Sequence, residues 1–92
     1  MNSTFEWDEQ RNRENQTKHG IDFETAQYVF FDKNRLIIHD AKHSEKEERW
    51  FCIGKVNDQV LTVRFTYRHN VIRIFGAASW RKWRKFYEQH NL

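Results

Sequence analysis

The sequence predicts one α+β domain with two N-terminal helices, a four-stranded antiparallel sheet and a C-terminal helix. Three observations support this fold class. A polar stretch ahead of residue 20 is bounded by helix-capping residues, segment 60–68 alternates apolar and polar side chains, and aromatic residues near the C-terminus recur at helical spacing. A chain of 92 residues has no room for a second domain, so residues 1–92 are expected to fold as a unit.

The two N-terminal helices are predicted from their capping residues. Asp8 is a suitable N-cap and Gly20 a suitable C-terminal stop. The helix between them has no large apolar residue, so its body is expected to lie exposed. Asp22 caps the second helix, whose core-facing stripe repeats at i, i+3 and i+7. The residues of that stripe are Phe23, Ala26 and Phe30.

Four strands follow, at 36–38, 49–56, 60–68 and 71–76, with a charged loop between the first and the second. Asn57-Asp58 and His69-Asn70 are expected to form the turns between the last three strands, which makes an antiparallel meander. The third strand has the clearest alternation of side chains. One face carries Leu61, Val63, Phe65 and Tyr67, and the other carries Thr62, Arg64, Thr66 and Arg68.

The C-terminal helix combines an aromatic stripe with a cluster of cations. Ser79 is the expected N-cap, and Trp80, Trp83 and Tyr87 are expected to face the core. Cations in the first turns of a helix oppose its macrodipole. Four are found here: Arg81, Lys82, Arg84 and Lys85. A phosphate backbone or an acidic partner would explain them.

The charge is unevenly distributed along the chain. Residues 1–60 carry a net charge of −3, whereas residues 61–92 carry +6. A basic third of this kind is typical of a surface that binds a polyanion such as nucleic acid. The alternative is that these cations only solvate an outer face and balance acidic residues elsewhere in the fold.

Several classes of protein are excluded by composition. Cys52 is the single cysteine, so an internal disulfide and a thiol-based metal finger are excluded, and a reducing compartment is expected. The N-terminal segment lacks the basic and apolar stretches of a signal peptide, and the longest apolar run is 28–31. We therefore expect a cytoplasmic protein with no membrane partner.

Cofactor chemistry is also not predicted. The histidines show no HxH or HExxH spacing, so no metal site is expected. Gly20, Gly54 and Gly76 do not form a glycine-rich phosphate loop, which excludes nucleotide-dependent enzymes. Cys52 lies in a predicted strand, where small cysteines usually only pack.

The polar face of the third strand, together with Arg73 and the Lys18-His19 pair, suits metal-independent cleavage of RNA. That reaction removes a proton from a 2′-hydroxyl, stabilises charge on the phosphorus and protonates the leaving 5′-oxygen. Arginines can supply the fixed cations, and Lys18 or His19 can serve the proton steps. The structural alternative is that outward Thr and Arg are simply what a solvent-facing strand shows.

Several short motifs, in order along nearly the whole chain, resemble those of the BrnT family of type II toxins. They are FEWD at 5–8, KHG at 18–20, HSEKEER at 43–49, IG at 53–54 and IRI at 72–74. The resemblance implies a RelE-like fold and a bacterial cytoplasmic ribonuclease that inhibits translation. It also implies a BrnA-like antitoxin that neutralises the toxin and binds operator DNA through a ribbon-helix-helix domain, so that operator DNA is a partner only through the antitoxin.

The resemblance also implies site residues. The expected catalytic residues are Lys18, His19, Arg49, Arg68 and Arg73, with His19 as the proton-transfer group. Thr66 is an expected RNA-binding residue because it matches, with Arg68, a strand-end polar pair of the family. The other expected RNA-binding residues follow from the strand-face and charge patterns and not from the resemblance: Arg64, Arg81, Lys82, Arg84 and Lys85. Ala78 stands where many members of the family have an arginine, for which Arg81 or Lys82 is the expected substitute. A non-catalytic module that binds antitoxin or nucleic acid, and a housekeeping RNA-binding protein, remain alternatives.

Overall fold

The computed structural model describes residues 4–92, which form a five-stranded mixed sheet with helices packed on both of its faces. The elements in chain order are β1 (Thr4–Trp7), α1 (Glu9–His19), α2 (Phe23–Ala26), a 3₁₀ helix (Gln27–Phe31), β2 (Leu36–His39), a short 3₁₀ turn (Ala41–His43), β3 (Trp50–Val56), β4 (Gln59–Arg68), β5 (Val71–Ala78) and α3 (Arg81–His90). The strand order is β1-β5-β4-β3-β2.

The prediction of four antiparallel strands is wrong, because β1 adds a fifth strand that runs parallel to β5. Phe5 lies opposite Ile72, and Trp7 lies opposite Ile74. Phe5 and Trp7 also pack against the main core. A strand of four residues whose partner is more than sixty residues away has no hairpin turn to reveal it, since parallel pairing needs no local connection. The α+β class itself is confirmed.

The other strands and both turns are confirmed. β2 to β5 contain the four predicted strands to within one or two residues at each end. Asn57, Asp58, His69 and Asn70 all have positive φ, between 51° and 67°. Two consecutive residues of positive φ make the type I′ turn that matches the twist of a two-residue hairpin, and Asn and Asp tolerate this conformation.

The first predicted helix is confirmed as α1. The Asp8 carboxylate accepts hydrogen bonds from the backbone N–H groups of Gln10 and Arg11. Gly20 has φ of 71°, the left-handed conformation that ends many helices, and its N–H donates to the Gln16 carbonyl. No residue of α1 is buried, as its polar sequence predicts.

The other two helices differ from prediction. The second is α-helical only from Phe23 to Ala26 and continues as the 3₁₀ helix, although Asp22 caps it as expected. Ser79 is not the N-cap of α3, because its hydroxyl donates instead to the Val60 carbonyl at 3.2 Å. The capping position belongs to Trp80, whose side chain makes no cap hydrogen bond.

The core has two parts, one on each face of the sheet. The larger part lies between the sheet and the pair formed by α2 and the 3₁₀ helix, with Phe23, Val29 and Phe65 fully buried. The smaller part lies under α3, where Tyr87 packs with Ile53. Since α3 packs on β3 and β4, the part of that face at β5, beside α1, is left uncovered.

Candidate functional site

A cleft of about 720 Å³ opens on this uncovered part of the sheet. α1 forms one wall, β5 with Arg64 of β4 forms the floor, and the residue before α3 closes the end. Its lining residues are Arg11, Glu14, Asn15, Lys18, His19, Arg64, Phe75, Gly76, Ala77 and Trp80. Cationic groups and exposed aromatic surface therefore share one open cavity.

The wall of the cleft follows from the register of α1. Arg11, Asn15 and Lys18 recur at i, i+4 and i+7 and so lie on one face of the helix. Because the helix stops at Gly20, Lys18 and His19 occupy its last turn, where the macrodipole favours cations. The His19 ring meets the Trp80 indole edge to face, with the ring centroids 6.1 Å apart.

Asn15 fixes α1 against the sheet. Its Nδ2 donates to the carbonyls of Ala77 and Ile21, both at 2.9 Å, and its Oδ1 accepts from the Ala77 N–H at 3.1 Å. The pairing of β1 with β5 ends at Ile74, so Asn15 takes the place of a neighbouring strand beside Ala77. The one side chain thus sets the distance between the two sides of the cleft.

Phe75 forms the centre of a cluster of arginines at the inner end of the cleft. A β-bulge in the pairing of β4 with β5 gives Phe75 no direct partner, between the pairs Phe65–Ile74 and Arg64–Gly76. The guanidinium carbon of Arg49 lies 4.2 Å from the Phe75 ring centroid. Two further guanidinium carbons lie near the same ring, those of Arg68 at 5.9 Å and Arg11 at 6.0 Å.

Two carboxylates hold arginines in and beside this cluster. Glu47 accepts two hydrogen bonds from Arg68, at 3.1 Å from Nε and 2.9 Å from Nη2, and its Oε1 is 3.8 Å from Arg49 Nη2. The hydrogen bonds from Arg68 hold the pKa of Glu47 below its usual value, so the carboxylate is ionised. Arg73 donates to Glu6 at 3.0 Å. The bidentate pair of Glu47 with Arg68 fixes the plane of the guanidinium group as well as the position of its charge.

The loop before β3 positions Arg49. The Ser44 hydroxyl accepts a hydrogen bond from the Arg49 N–H at 2.9 Å and donates to the Asp40 carbonyl at 2.7 Å. Thr66 donates to the Glu48 carbonyl, which ties the same loop to β4. The polar residues of segment 43–49 therefore shape the loop that carries Glu47 and Arg49 to the cluster.

Comparison with protein families assigns the chain. A family model described as the ribonuclease toxin, BrnT, of type II toxin-antitoxin systems matches residues 7–85. The chain belongs to the BrnT family. No individual curated protein gives a significant match. The chain is accordingly a ribonuclease toxin of a type II toxin-antitoxin system, for which an antitoxin partner and an RNA substrate follow.

The structure brings most of the expected BrnT site residues into two adjoining groups. Lys18, His19 and Arg64 line the cleft. Arg49 and Arg68 lie around Phe75 at its inner end. Arg73 lies beside them, opposite Thr66 in the sheet and bound to Glu6.

Other expected residues lie elsewhere in this BrnT chain. Thr66 is 1% exposed and its hydroxyl is used by the loop, so it is not available to a ligand in this structure. None of the α3 cations lines the cleft within the described residues; these are Arg81, Lys82, Arg84 and Lys85, all exposed. Ala78 is buried at the end of β5. Neither proposed substitute for a family arginine therefore reaches the cleft, whereas Arg64 does.

Phe75, Asn15 and Glu47 complete the site, although the sequence did not indicate a role for them in it. Glu47 is part of the HSEKEER motif at 43–49, which was the available signal, and Asn15 lies three residues before the KHG motif at 18–20. Phe75 gave none, because alternation places it on the strand face of Arg73 but an apolar side chain in a strand carries no functional signal of its own.

Other reactive groups of the chain lie apart from the site. Burial raises the pKa of the Cys52 thiol to about 12, and the residue is fully buried. No group of three His, Cys, Asp or Glu side chains is placed to hold a metal ion within residues 4–92. In the same part of the chain, no helix is long and apolar enough to span a membrane.

Proposed function

We propose that this BrnT protein is a metal-independent endoribonuclease whose active site is the cleft between α1 and β5. The observation that carries the proposal is the meeting of Lys18, His19 and Arg64 in one cavity. These residues come from a helix end and a central strand, and the fold brings them together next to the arginines around Phe75.

The chemistry of RNA cleavage assigns a role to each group. The 2′-hydroxyl oxygen forms a bond to phosphorus as its proton passes to a base, and the bond from phosphorus to the 5′-oxygen breaks as that oxygen gains a proton. The products are a 2′,3′-cyclic phosphate and a 5′-hydroxyl. His19 is the proposed proton-transfer group, because its imidazole is exposed in the cleft and imidazole is the side chain most often used for general acid–base catalysis.

Arginines are the proposed source of transition-state stabilisation. The oxygens of the pentacoordinate phosphorane carry more negative charge than those of the substrate phosphodiester. Preorganised cations in the site therefore stabilise the transition state more than the bound substrate. Arg49 and Arg64 are suited to this role because guanidinium groups make paired hydrogen bonds to phosphate oxygens. Arg68, whose Nε and Nη2 donate to Glu47, adds positive charge and keeps Nη1 for a single contact. Lys18 contributes a further cation to the cleft. Arg73, held by its ion pair with Glu6, adds positive charge beside the Phe75 cluster.

The cellular role follows from the reaction. Cleavage of messenger RNA in the cytoplasm would inhibit translation, and a BrnA-like antitoxin with a ribbon-helix-helix domain is the proposed neutralising partner. Together with the adjoining Arg73–Glu6 pair, the cleft and the Phe75 cluster hold six Lys or Arg side chains against three carboxylates. The cations are Arg11, Lys18, Arg49, Arg64, Arg68 and Arg73, and the carboxylates are Glu6, Glu14 and Glu47. This excess of positive charge supports binding of RNA or of an acidic antitoxin segment.

The first test is cleavage of a defined RNA by the full chain, freed of antitoxin, in EDTA, with mapping of the ends. The expected ends are 2′,3′-cyclic phosphate and 5′-hydroxyl. His19→Ala is expected to lower the rate by about 10²–10⁴-fold, typical of lost acid–base catalysis. Arg64→Ala is expected to lower it by about 10²–10³-fold, typical of one lost oxyanion contact. The matched control is Arg13→Ala, a cation of α1 that does not line the cleft.

Absence of cleavage, with or without ribosomes, would refute the enzyme and favour a non-catalytic binding module. Growth arrest in cells separates the same two functions. If Arg68→Ala and Arg73→Ala relieve arrest and still bind antitoxin, the arginines serve RNA cleavage. If every variant that relieves arrest also loses the antitoxin, they serve partner binding.

A further inference from the structure

Trp80 lines the cleft, although its spacing in the sequence suggests that it belongs to the aromatic stripe of the C-terminal helix. Its backbone is extended, with φ of −89° and ψ of 134°, and α3 begins one residue later. The side chain is 38% exposed and lies outside both core clusters of the described residues, whereas Trp83 of α3 packs against the smaller core. Burial in the core therefore does not explain Trp80.

Helix capping does not explain it either. Ser, Thr, Asp and Asn are the preferred N-cap residues because their side chains accept a hydrogen bond from the first turn. Trp80 occupies that position and makes no such bond. Neither core packing nor helix capping therefore accounts for a large aromatic side chain at the end of this open cleft.

The surroundings of Trp80 suit a nucleotide. The His19 ring lies 6.1 Å away, and Lys18 and Arg64 line the same cavity. The floor at Gly76 carries no side chain. A cavity of about 720 Å³ is within the size range of pockets that enclose small ligands. Proteins that bind single-stranded nucleic acid combine cations along the backbone with aromatic rings that stack on bases.

We propose that Trp80 stacks on a nucleobase of the RNA and so positions the adjacent phosphodiester between His19 and Arg64. The inference rests on the proposed function and adds to it a contact with a base. All four bases have a π-face, so the contact fixes the position of the strand and discriminates weakly between sequences. The proposal predicts a loss of RNA affinity when the ring is removed, with no change in the number of phosphate contacts.

The test measures binding of a short single-stranded 2′-O-methyl RNA, which cannot be cleaved because its 2′-oxygens are blocked. Trp80→Ala and Trp80→Leu are expected to weaken binding roughly 5- to 150-fold, the range seen when a stacked base loses its ring. Trp80→Phe is expected to restore most of the affinity. The control is Tyr28→Ala, which removes an aromatic ring that is 52% exposed outside the cleft.

Salt dependence and abasic substitution identify the contact as stacking. The slope of log affinity against log salt is expected to be unchanged in Trp80→Leu, because no phosphate contact is lost, and to be smaller in Arg64→Ala. An RNA with one abasic position at the stacked nucleotide is expected to bind the wild-type chain as weakly as Trp80→Leu binds intact RNA. At that position the variant should lose nothing further, since the two changes remove the same contact.

The outcomes separate this inference from the proposed function. If the wild-type chain cleaves and binds RNA but Trp80→Leu binds with wild-type affinity, only the stacking is refuted. The stacking is also refuted if the loss of affinity caused by Trp80→Leu adds to the loss caused by the abasic nucleotide at every position of the RNA. If the wild-type chain neither binds nor cleaves RNA, both proposals are overturned. Trp80→Leu keeps an apolar side chain, and its circular dichroism should match that of the wild type.

Discussion

Arg49, immediately before β3, has an environment that distinguishes a guanidinium from an ammonium group. Its guanidinium carbon lies 4.2 Å from the Phe75 ring centroid, and its Nη2 lies 3.8 Å from Glu47. Its Nε is buried and has no hydrogen-bond partner within the described residues. A guanidinium can stack on a ring and still present N–H groups to a phosphate, whereas an ammonium is a compact point charge. The shape of this cation should therefore matter as well as its charge.

We expect Arg49→Lys to lower kcat/KM for RNA cleavage by about 10- to 150-fold, although it keeps the charge. The loss corresponds to about 1.5–3 kcal/mol, the contribution of a hydrogen bond to a charged group. Arg49→Ala is expected to lose at least as much. Steady-state cleavage of a defined RNA measures both, with Arg13→Lys as the control on α1. Wild-type kcat/KM in Arg49→Lys would mean that charge alone suffices at this position.

Single residues of the site could be predicted where they belong to a recognisable motif. They could not be predicted where their role depends on which parts of the fold cover them. Lys18, His19 and Arg49 were singled out from the resemblance, and the fold places them at the cleft or its inner end. Thr66 shares the strand face of Arg64 but is covered by the loop at Glu48. Alternation along β4 gives the face of a side chain and does not indicate what covers that face.

Among the elements, α1 depends on one side chain for its attachment to β5. It buries no residue, and Asn15 makes three hydrogen bonds to the backbone of Ala77 and Ile21. Removing these bonds leaves part-buried backbone groups without partners, which costs about 1–3 kcal/mol for each unsatisfied group. The same change would loosen the wall that carries Lys18 and His19.

We therefore expect Asn15→Ala to lower the free energy of unfolding by about 1–3 kcal/mol or more, since three backbone groups lose a partner, and to reduce cleavage as well. Asn15→Asp should be at least as destabilising, because a carboxylate still accepts from the Ala77 N–H but faces two carbonyl oxygens without a donor. Urea unfolding measures the stability, with Gln16→Ala, an exposed neighbour, as the control. Wild-type stability in both Asn15 variants would show that α1 is held by other contacts.

The glycines of three elements differ in what a Cβ would meet. At Gly54 of β3 it would lie 2.7 Å from the Val29 carbonyl oxygen of the 3₁₀ helix, so the backbone must shift. Gly20 meets nothing within 4 Å but has φ of 71°, which costs other residues about 1–2 kcal/mol. At Gly76 of β5 the nearest atom is the Nε of Arg64 at 3.5 Å, an ordinary contact.

The free energy of unfolding is thus expected to fall most in Gly54→Ala, by about 1–3 kcal/mol or more as in overpacked cores. Gly20→Ala should lose about 1 kcal/mol, and Gly76→Ala should change least and serves as the matched control in the same sheet. Thermal or urea unfolding of the three variants gives the order. A Gly54→Ala protein as stable as Gly76→Ala would contradict the close approach of β3 and the 3₁₀ helix.

Elements bounded by local signals were predicted well, and those defined by distant contacts were not. The turns at Asn57-Asp58 and His69-Asn70 fixed β3, β4 and β5 from sequence alone. β1 was missed because its parallel partner lies far along the chain. The start of α3 was placed one residue early, because Ser79 is a good cap in isolation but finds the Val60 carbonyl in the fold.

At the scale of the whole molecule, the uneven charge along the sequence does not match the position of the cations in the folded structure. Residues 1–60 sum to −3, yet three of the cations at the site come from them: Arg11, Lys18 and Arg49. The cations of α3, which dominate the basic third, do not line the cleft. The basic site is therefore assembled by folding from both segments. The net charge of the C-terminal segment correctly indicates a positive site but does not identify the residues that form it.

A hydrogen bond between Tyr87 and Asp32 joins α3 to the rest of the molecule. Asp32 also accepts from the backbone N–H groups of Lys55 at 2.7 Å and Asn34 at 2.9 Å. Burial, and then the hydrogen bond to Asp32, raises the pKa of Tyr87 to about 12. Burial alone would raise the pKa of Asp32, but the hydrogen bonds from Tyr87, Lys55 and Asn34 outweigh it and lower the pKa.

These two shifts predict how stability depends on pH. The pKa of Tyr87 is higher in the folded chain than its usual value of about 10, so its stabilisation is complete below pH 10 and is lost as the pH rises towards 12. The pKa of Asp32 is lowered, so its stabilisation is present above its unfolded value of about 3.9 and is lost as the pH falls through the folded value.

Tyr87→Phe should therefore lower the free energy of unfolding at pH 7 by about 1.5–3 kcal/mol, because a hydrogen bond to a carboxylate is lost. The difference between wild type and variant should shrink above pH 10 and also in acid, since one partner then changes its protonation state. Urea unfolding of both proteins across this range gives the difference directly, with Tyr28→Phe, an exposed tyrosine, as the control. A difference that stays constant from acid to pH 11 would show that α3 is held by its apolar contacts with Ile53 and Val60 rather than by this hydrogen bond.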